Sequence, residues 1–220
     1  MTGLVMTDYP PEPWSLRGDF AVSVLLAPPA SVPAGLLECA PAGARPLRIG
    51  GRLLVGLAAV HYGRGGMLAY EELLLAVPVL WRGRLRVTIP QILVTSPASV
   101  AGGRELWGIP KELCTASRVS KGRRLETSFM DAAGAPLATV RAAGARVALP
   151  GRWALPMPTL QRLDGQTADS SNSVTGTIRS ARVEWDLHGP FAWLREATPV
   201  AGLAITRADI RFGERVHRSR

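Results

Sequence analysis

Among the 26 basic residues of this 220-residue chain, Lys111 and Lys121 are the two lysines and all the others are arginines. Arginine keeps its proton in a protein, whereas a lysine amine in an apolar pocket can lose it, and the free amine attacks a carbonyl carbon. A lysine retained against such a bias is therefore a candidate nucleophile. Lys121 precedes Gly122-Arg123-Arg124 and reads as a turn charge. Lys111 ends the stretch Gly102-Gly103-Arg104-Glu105-Leu106-Trp107-Gly108-Ile109-Pro110-Lys111, in which glycines and a proline predict a tight backbone. Trp107, Ile109, Pro110 and Leu113 are apolar neighbours that would disfavour an ammonium. An ordinary lysine is neutral to roughly one part in 2,500 at pH 7, and each lowering of its pKa by one multiplies that fraction about tenfold. The stretch is not a phosphate loop, because Ile109 and Pro110 stand where that motif needs Lys and Ser or Thr.

The segment GRELWGIPK resembles the signature of the acetoacetate decarboxylase family, whose GRE…G-[FYI]-P-K run delivers a Schiff-base lysine. Tyr70-Glu71-Glu72 is similar to the family's Tyr-x-Glu, and Trp14-Ser15-Leu16-Arg17 to its N-terminal aromatic-x-x-Arg, in the same order and at compatible spacing. The resemblance implies a mainly β fold, an antiparallel cone-shaped β-barrel with a few short helices, and homo-oligomeric assembly. It implies Lys111 as amine nucleophile, Glu72 as pocket carboxylate and Arg17 as the arginine holding a substrate carboxylate, with Tyr70 and Trp107 walling the pocket. Arg104, Glu105, Gly108 and Pro110 belong to the signature loop and are expected to fix it, the two charges through buried ionic hydrogen bonds. Competing readings remain for two residues: Glu72 as a strand-end surface charge and Arg17 as a surface ion-pair partner.

The implied activity is that of a Schiff-base lyase on a small 2- or 3-oxo acid, decarboxylating it through a Lys111 iminium with no further cofactor. Aldolase or dehydratase chemistry at the same lysine is the alternative branch, and a non-catalytic small-ligand barrel is the alternative class. Two positions depart from the family. Glu112 stands where the decarboxylases have a second lysine, and a carboxylate facing the amine would stabilise the ammonium; in extended chain, though, neighbouring side chains point to opposite faces. Between Glu38 and Glu71 there is no acidic residue at all, where the decarboxylases carry one on the strand before Tyr-x-Glu.

The elements that must position these residues read as short strands punctuated by 18 prolines and 23 glycines. Expected strands are 20–26, 52–61, 73–81, 85–94, 117–120, 125–131, 137–142, 176–185 and 202–212, with a hairpin turn at Ala132-Ala133-Gly134. Helical turns are expected at 31–37 and 190–195. The polar run 164–173 reads as a surface loop. The whole chain, 1–220, reads as one domain, within the size at which barrels stay single.

A formal charge of +9 raises the question of an anionic partner, but the arginines are scattered and no nucleic-acid motif accompanies them. Nucleic acid and membrane are not expected partners. Apolar stretches reach about nine residues against the roughly 20 a spanning helix needs. Residues 1–14 lack the basic start and apolar core of a leader, and two cysteines, Cys39 and Cys114, make no disulfide framework, so a cytoplasmic protein is expected. His61, His188 and His217 lack metal-ligand spacing, and no metal is expected.

Overall fold

In the computed structural model, residues 9–219 are described; residues 1–8, part of the stretch read above for a leader, lie outside them. Fourteen strands share one hydrogen-bonded network: β1 (Trp14–Ala27), β2 (Arg45–Pro46), β3 (Arg48–Ile49), β4 (Arg52–Tyr62), β5 (Tyr70–Trp81), β6 (Arg84–Val94) and β7 (Lys111–Leu113) lead. They are followed by β8 (Thr115–Lys121), β9 (Arg124–Met130), β10 (Pro136–Gly144), β11 (Trp153–Pro156), β12 (Thr159–Leu163), β13 (Gln166–Leu187) and β14 (Thr198–Ser219). A helix, α1 (Pro97–Trp107), lies between β6 and β7.

Seven strands, in the order β12-β6-β5-β4-β1-β14-β13, close into a barrel because β13 also pairs with β12. The upper half of β13 runs out of the barrel and carries β10, β9 and β8 as an extension. Closure explains why β4 and β5 read as nearly continuous apolar runs. On β5, Leu73, Leu75 and Val77 face one buried cluster, shared with Phe129 and Val140 of the extension and with Phe191. Tyr70 and Leu74, from the alternate positions, face a second cluster inside the barrel with Trp14, Tyr62, Trp107 and Ile109. Both faces of the strand are covered, and each fully buried aliphatic side chain contributes about 1.5–3 kcal/mol relative to exposure. Glu72, on the barrel side of this strand, is therefore a carboxylate in an apolar interior.

Three local expectations are corrected. Segment 164–173 is no loop: Asp164 and Gly165 make a turn and β13 begins at Gln166. Asn172 is buried with its side chain fully bonded: the amide donates to Met157 O and Thr159 Oγ1 at 3.0 Å and the carbonyl accepts from Gly213 N at 2.7 Å. Segment 31–37 contributes one 3₁₀ turn, Pro29–Ser31, and then isolated turns. The third is α1, where the sequence reading placed no helix. Ser96 caps it, its hydroxyl accepting from Ser99 N, Pro97 occupies its first position, and Gly108 ends it in the left-handed region at φ 67°. The 190–195 turn is present within a 3₁₀ segment, Gly189–Glu196, and the 132–134 turn joins β9 to β10. Among the described residues no helix is long and apolar enough to cross a membrane.

Candidate active site

Three strands and α1 converge on Lys111. Parallel pairing of β7 with β6 sets Lys111 opposite Ile92, while β5 pairs on the other edge of β6 with Glu72 opposite Val94. Upstream, α1 ends at Gly108, whose N–H bonds Arg104 O, and Ile109 N bonds Gly103 O, which turns the chain sharply into β7. A Cβ on Gly108 would lie 2.2 Å from Arg162 O, so this glycine serves both the left-handed turn and a close approach to β12.

The amine is buried, with 5% of Lys111 exposed, and it is fully engaged. Nζ donates to Glu72 Oε2 at 3.0 Å and to Ser99 Oγ at 2.9 Å, with Tyr70 Oη at 3.5 Å. Glu72 is also gathered by phenols: Tyr62 donates to Oε1 at 3.1 Å and Tyr70 to Oε2 at 3.4 Å. Burial first, and then the charge of Glu72, pushes both tyrosine hydroxyls well above the ordinary phenol range, so both stay protonated donors. The rings of Tyr70 and Trp14 lie 5.4 and 5.9 Å from Nζ, within cation–π range of an ammonium or iminium.

The group sits in the wall of an apolar cavity of about 270 Å³. Trp107 forms part of this wall, packed edge-on against Trp14 and Phe212 with centroids 4.8 and 4.5 Å apart. Tyr70 and Glu72 line it as well. Cys114 lies nearby and buried, its thiol pushed up to about 12 by burial and then by the Glu72 charge, so it is inert as a nucleophile at neutral pH.

Arg17 is elsewhere. Trp14 and Leu16 take the inward positions of β1, so Arg17 projects outward; its side chain is 65% exposed and its Nε donates to Asp209 at 3.1 Å. The surface ion-pair reading describes it, and a pocket role does not. Arg104 and Glu105 are exposed rather than joined in a buried ionic contact: Arg104 Nε donates to the Lys111 carbonyl at 2.7 Å, and Glu105 accepts from the Tyr9 hydroxyl. Arg104 still steadies the loop before β7, through the Lys111 backbone. Pro110 is half-buried between Ile109 and Lys111, whose backbone atoms bond across it at 2.7 Å. Glu112 is exposed, on the opposite face of β7 from Lys111, so its carboxylate does not confront the amine.

Ser99 and Tyr62 were not found by sequence reasoning, and Gly102 and Gly103, expected to tighten a loop, are instead the contact face of α1. A Cβ on Gly102 would fall 2.4 Å from the Trp14 ring, and one on Gly103 would fall 2.6 Å from Lys111 Cδ. These glycines let α1 lie directly on the lysine and bring Ser99, one turn earlier, onto Nζ. Tyr62 was legible in principle as the cross-strand partner of Tyr70.

The family model described as acetoacetate decarboxylase matches residues 44–203. The chain belongs to the acetoacetate decarboxylase family. Solved structures agree in fold. A structural study of acetoacetate decarboxylase superposes with TM-score 0.75 at 16% identity, over 99% of this chain and 94% of that one. The acetoacetate decarboxylase of Legionella pneumophila gives 0.71 at 17% identity, over 96% and 90%. The enduracididine biosynthesis enzyme MppR, complexed with pyruvate, gives 0.71 at 13% identity, over 97% and 93%. A search of curated proteins finds no match. Family membership supports an enzyme.

Proposed function

We propose that this protein is a Schiff-base lyase that decarboxylates an oxo acid through Lys111. The observation that carries the reading is the buried Lys111 amine, held between Glu72 Oε2 and Ser99 Oγ and open to an apolar cavity. Glu72 takes a proton from the ammonium along the 3.0 Å hydrogen bond, leaving two neutral groups and a lone pair on Nζ. The amine adds to the ketone carbon, the carbonyl π electrons move to oxygen, and one N–H proton passes to that oxygen to give the carbinolamine. Glu72 then returns its proton to the departing hydroxyl, which leaves as water, and an iminium remains.

The charge content of the wall supports decarboxylation. Among the described residues the cavity is lined by Lys111 as its cation and Glu72 as its carboxylate, with no arginine. A substrate carboxylate brought to this site has the iminium as its counter-charge. Breaking the bond to the carboxylate releases carbon dioxide and sends the electron pair into the iminium, giving a neutral enamine and cancelling both charges. A proton delivered through Glu72 to the enamine carbon, and addition of water, release the ketone and restore the ammonium.

The test is product analysis. Purified protein incubated with 3-oxo acids is expected to release carbon dioxide and the matching methyl ketone faster than the uncatalysed background, and Lys111→Ala is expected to fall to background. Carbon–carbon bond formation with an added aldehyde, in place of carbon dioxide release, would reassign the same lysine to aldol chemistry.

A further inference from the structure

The cavity is larger and less polar than a four-carbon oxo acid requires. Beyond Lys111, Glu72 and the tyrosines, its wall continues along β1 past Phe20 and Val22, along β4 past Ala58 to Gly56, and along β5 past Leu74 to Ala76. Side chains on alternate positions of these strands face the same way, so the run forms one surface leading away from the amine. Its far end is left open by small residues. A Cβ on Gly56 would sit 3.8 Å from Ala76 Cβ, in ordinary contact, so glycine at this position is not demanded by a clash. The missing side chain leaves volume in the cavity instead.

We infer that the substrate of Lys111 carries an uncharged apolar tail, which lies along β1, β4 and β5 towards Gly56 and Ala76 while the carbonyl end meets the amine. This inference rests on Lys111 as the imine-forming group. At about 30 Å³ for each water-sized group, a cavity of about 270 Å³ accepts about nine non-hydrogen atoms. Methyl hexyl ketone has that size. A second charged group on the tail is excluded on the same evidence, since the far wall offers neither a cation nor a fixed donor and an unpaired carboxylate would be buried there.

The experiment is a series of ketones trapped on the intact protein by borohydride and quantified by mass spectrometry as adduct on Lys111. From acetone through methyl propyl ketone to methyl hexyl ketone, the concentration giving half-maximal labelling is expected to fall by about fourfold per methylene, then level off for longer chains. A ketone of equal length ending in a carboxylate is expected to need at least a hundredfold more. In Gly56→Val, the preference for methyl hexyl ketone over acetone is expected to shrink tenfold or more. A flat chain-length series, or equal labelling by the carboxylate-ended ketone, overturns the inference while leaving the imine intact. Absence of any adduct overturns the imine reading itself. The tail is then judged on its own by ligand-dependent melting: methyl hexyl ketone must raise the melting temperature where acetone at the same concentration does not, and equal shifts reject it.

Discussion

Gly103→Ala is the smallest change that separates a positioned lysine from a merely buried one. The added methyl would lie 2.6 Å from Lys111 Cδ and 2.9 Å from Cε, and restoring ordinary contact at 3.4 Å needs a shift of about 0.8 Å. α1 is held by the Ser96 cap at one end and by Gly108 against β12 at the other, so the lysine chain moves more easily than the helix. Nζ is thereby drawn off Glu72 and Ser99, whose bonds at 3.0 and 2.9 Å leave no slack. A displacement of about 1 Å at a reacting atom costs on the order of a hundredfold. Overpacking costs about 1–3 kcal/mol of stability, partly offset by the helix preference of alanine over glycine, about 1 kcal/mol. The expected outcome is a folded protein, melting within several degrees of the original, that forms the Lys111 adduct at least thirtyfold more slowly. The assay pairs thermal melting with the time course of borohydride trapping. An unchanged trapping rate in a folded variant would refute the claim that α1 sets the position of the amine.

Arg17→Ala is expected to leave the trapping rate and half-saturating ketone concentration within about twofold of the original, because an exposed ion pair with Asp209 contributes little; a tenfold loss would return Arg17 to the pocket. Lys111→Met combined with Glu72→Leu is expected to abolish adduct formation and to melt below the parent: exchanging a buried ion pair for apolar side chains is commonly neutral or stabilising by about 1–4 kcal/mol, but the buried Tyr62, Tyr70 and Ser99 hydroxyls lose their partners at about 1–3 kcal/mol each; an unchanged or raised melting temperature would contradict this. Stability is expected to decline as pH rises from about 9 towards 12. Cys114 is raised to about 12 in the folded state and Tyr62 and Tyr70 move the same way, so the unfolded chain loses protons first and is favoured with rising pH. Denaturant melts across that range check it, and Cys114→Ala is expected to flatten the slope.

Lys111 was legible in the sequence for a physical reason, as an amine kept where guanidinium was the rule, whereas Glu72 was legible through the resemblance of Tyr70-Glu71-Glu72 to a family motif. The barrel strands were legible because proline and glycine mark their ends. Arg17 misled because a motif spacing says nothing about which face of a strand a residue occupies; with Trp14 and Leu16 turned inward, parity sends Arg17 out. α1 was hidden by Gly102 and Gly103, which lower helix propensity but are the residues that allow contact with Trp14 and Lys111. The polar start of β13 passed for a loop because composition does not reveal that Asn172 finds its partners across the seam closing the barrel. Ser99 carried no signal of its own until the helix containing it was known.

The most direct measurement is a peptide map of the intact protein after incubation with a methyl ketone and borohydride. The expected result is the reduced adduct on the peptide containing Lys111, with exposed Lys121 unlabelled under the same conditions. An unmodified Lys111, or labelling that follows exposure and falls on Lys121, would contradict it.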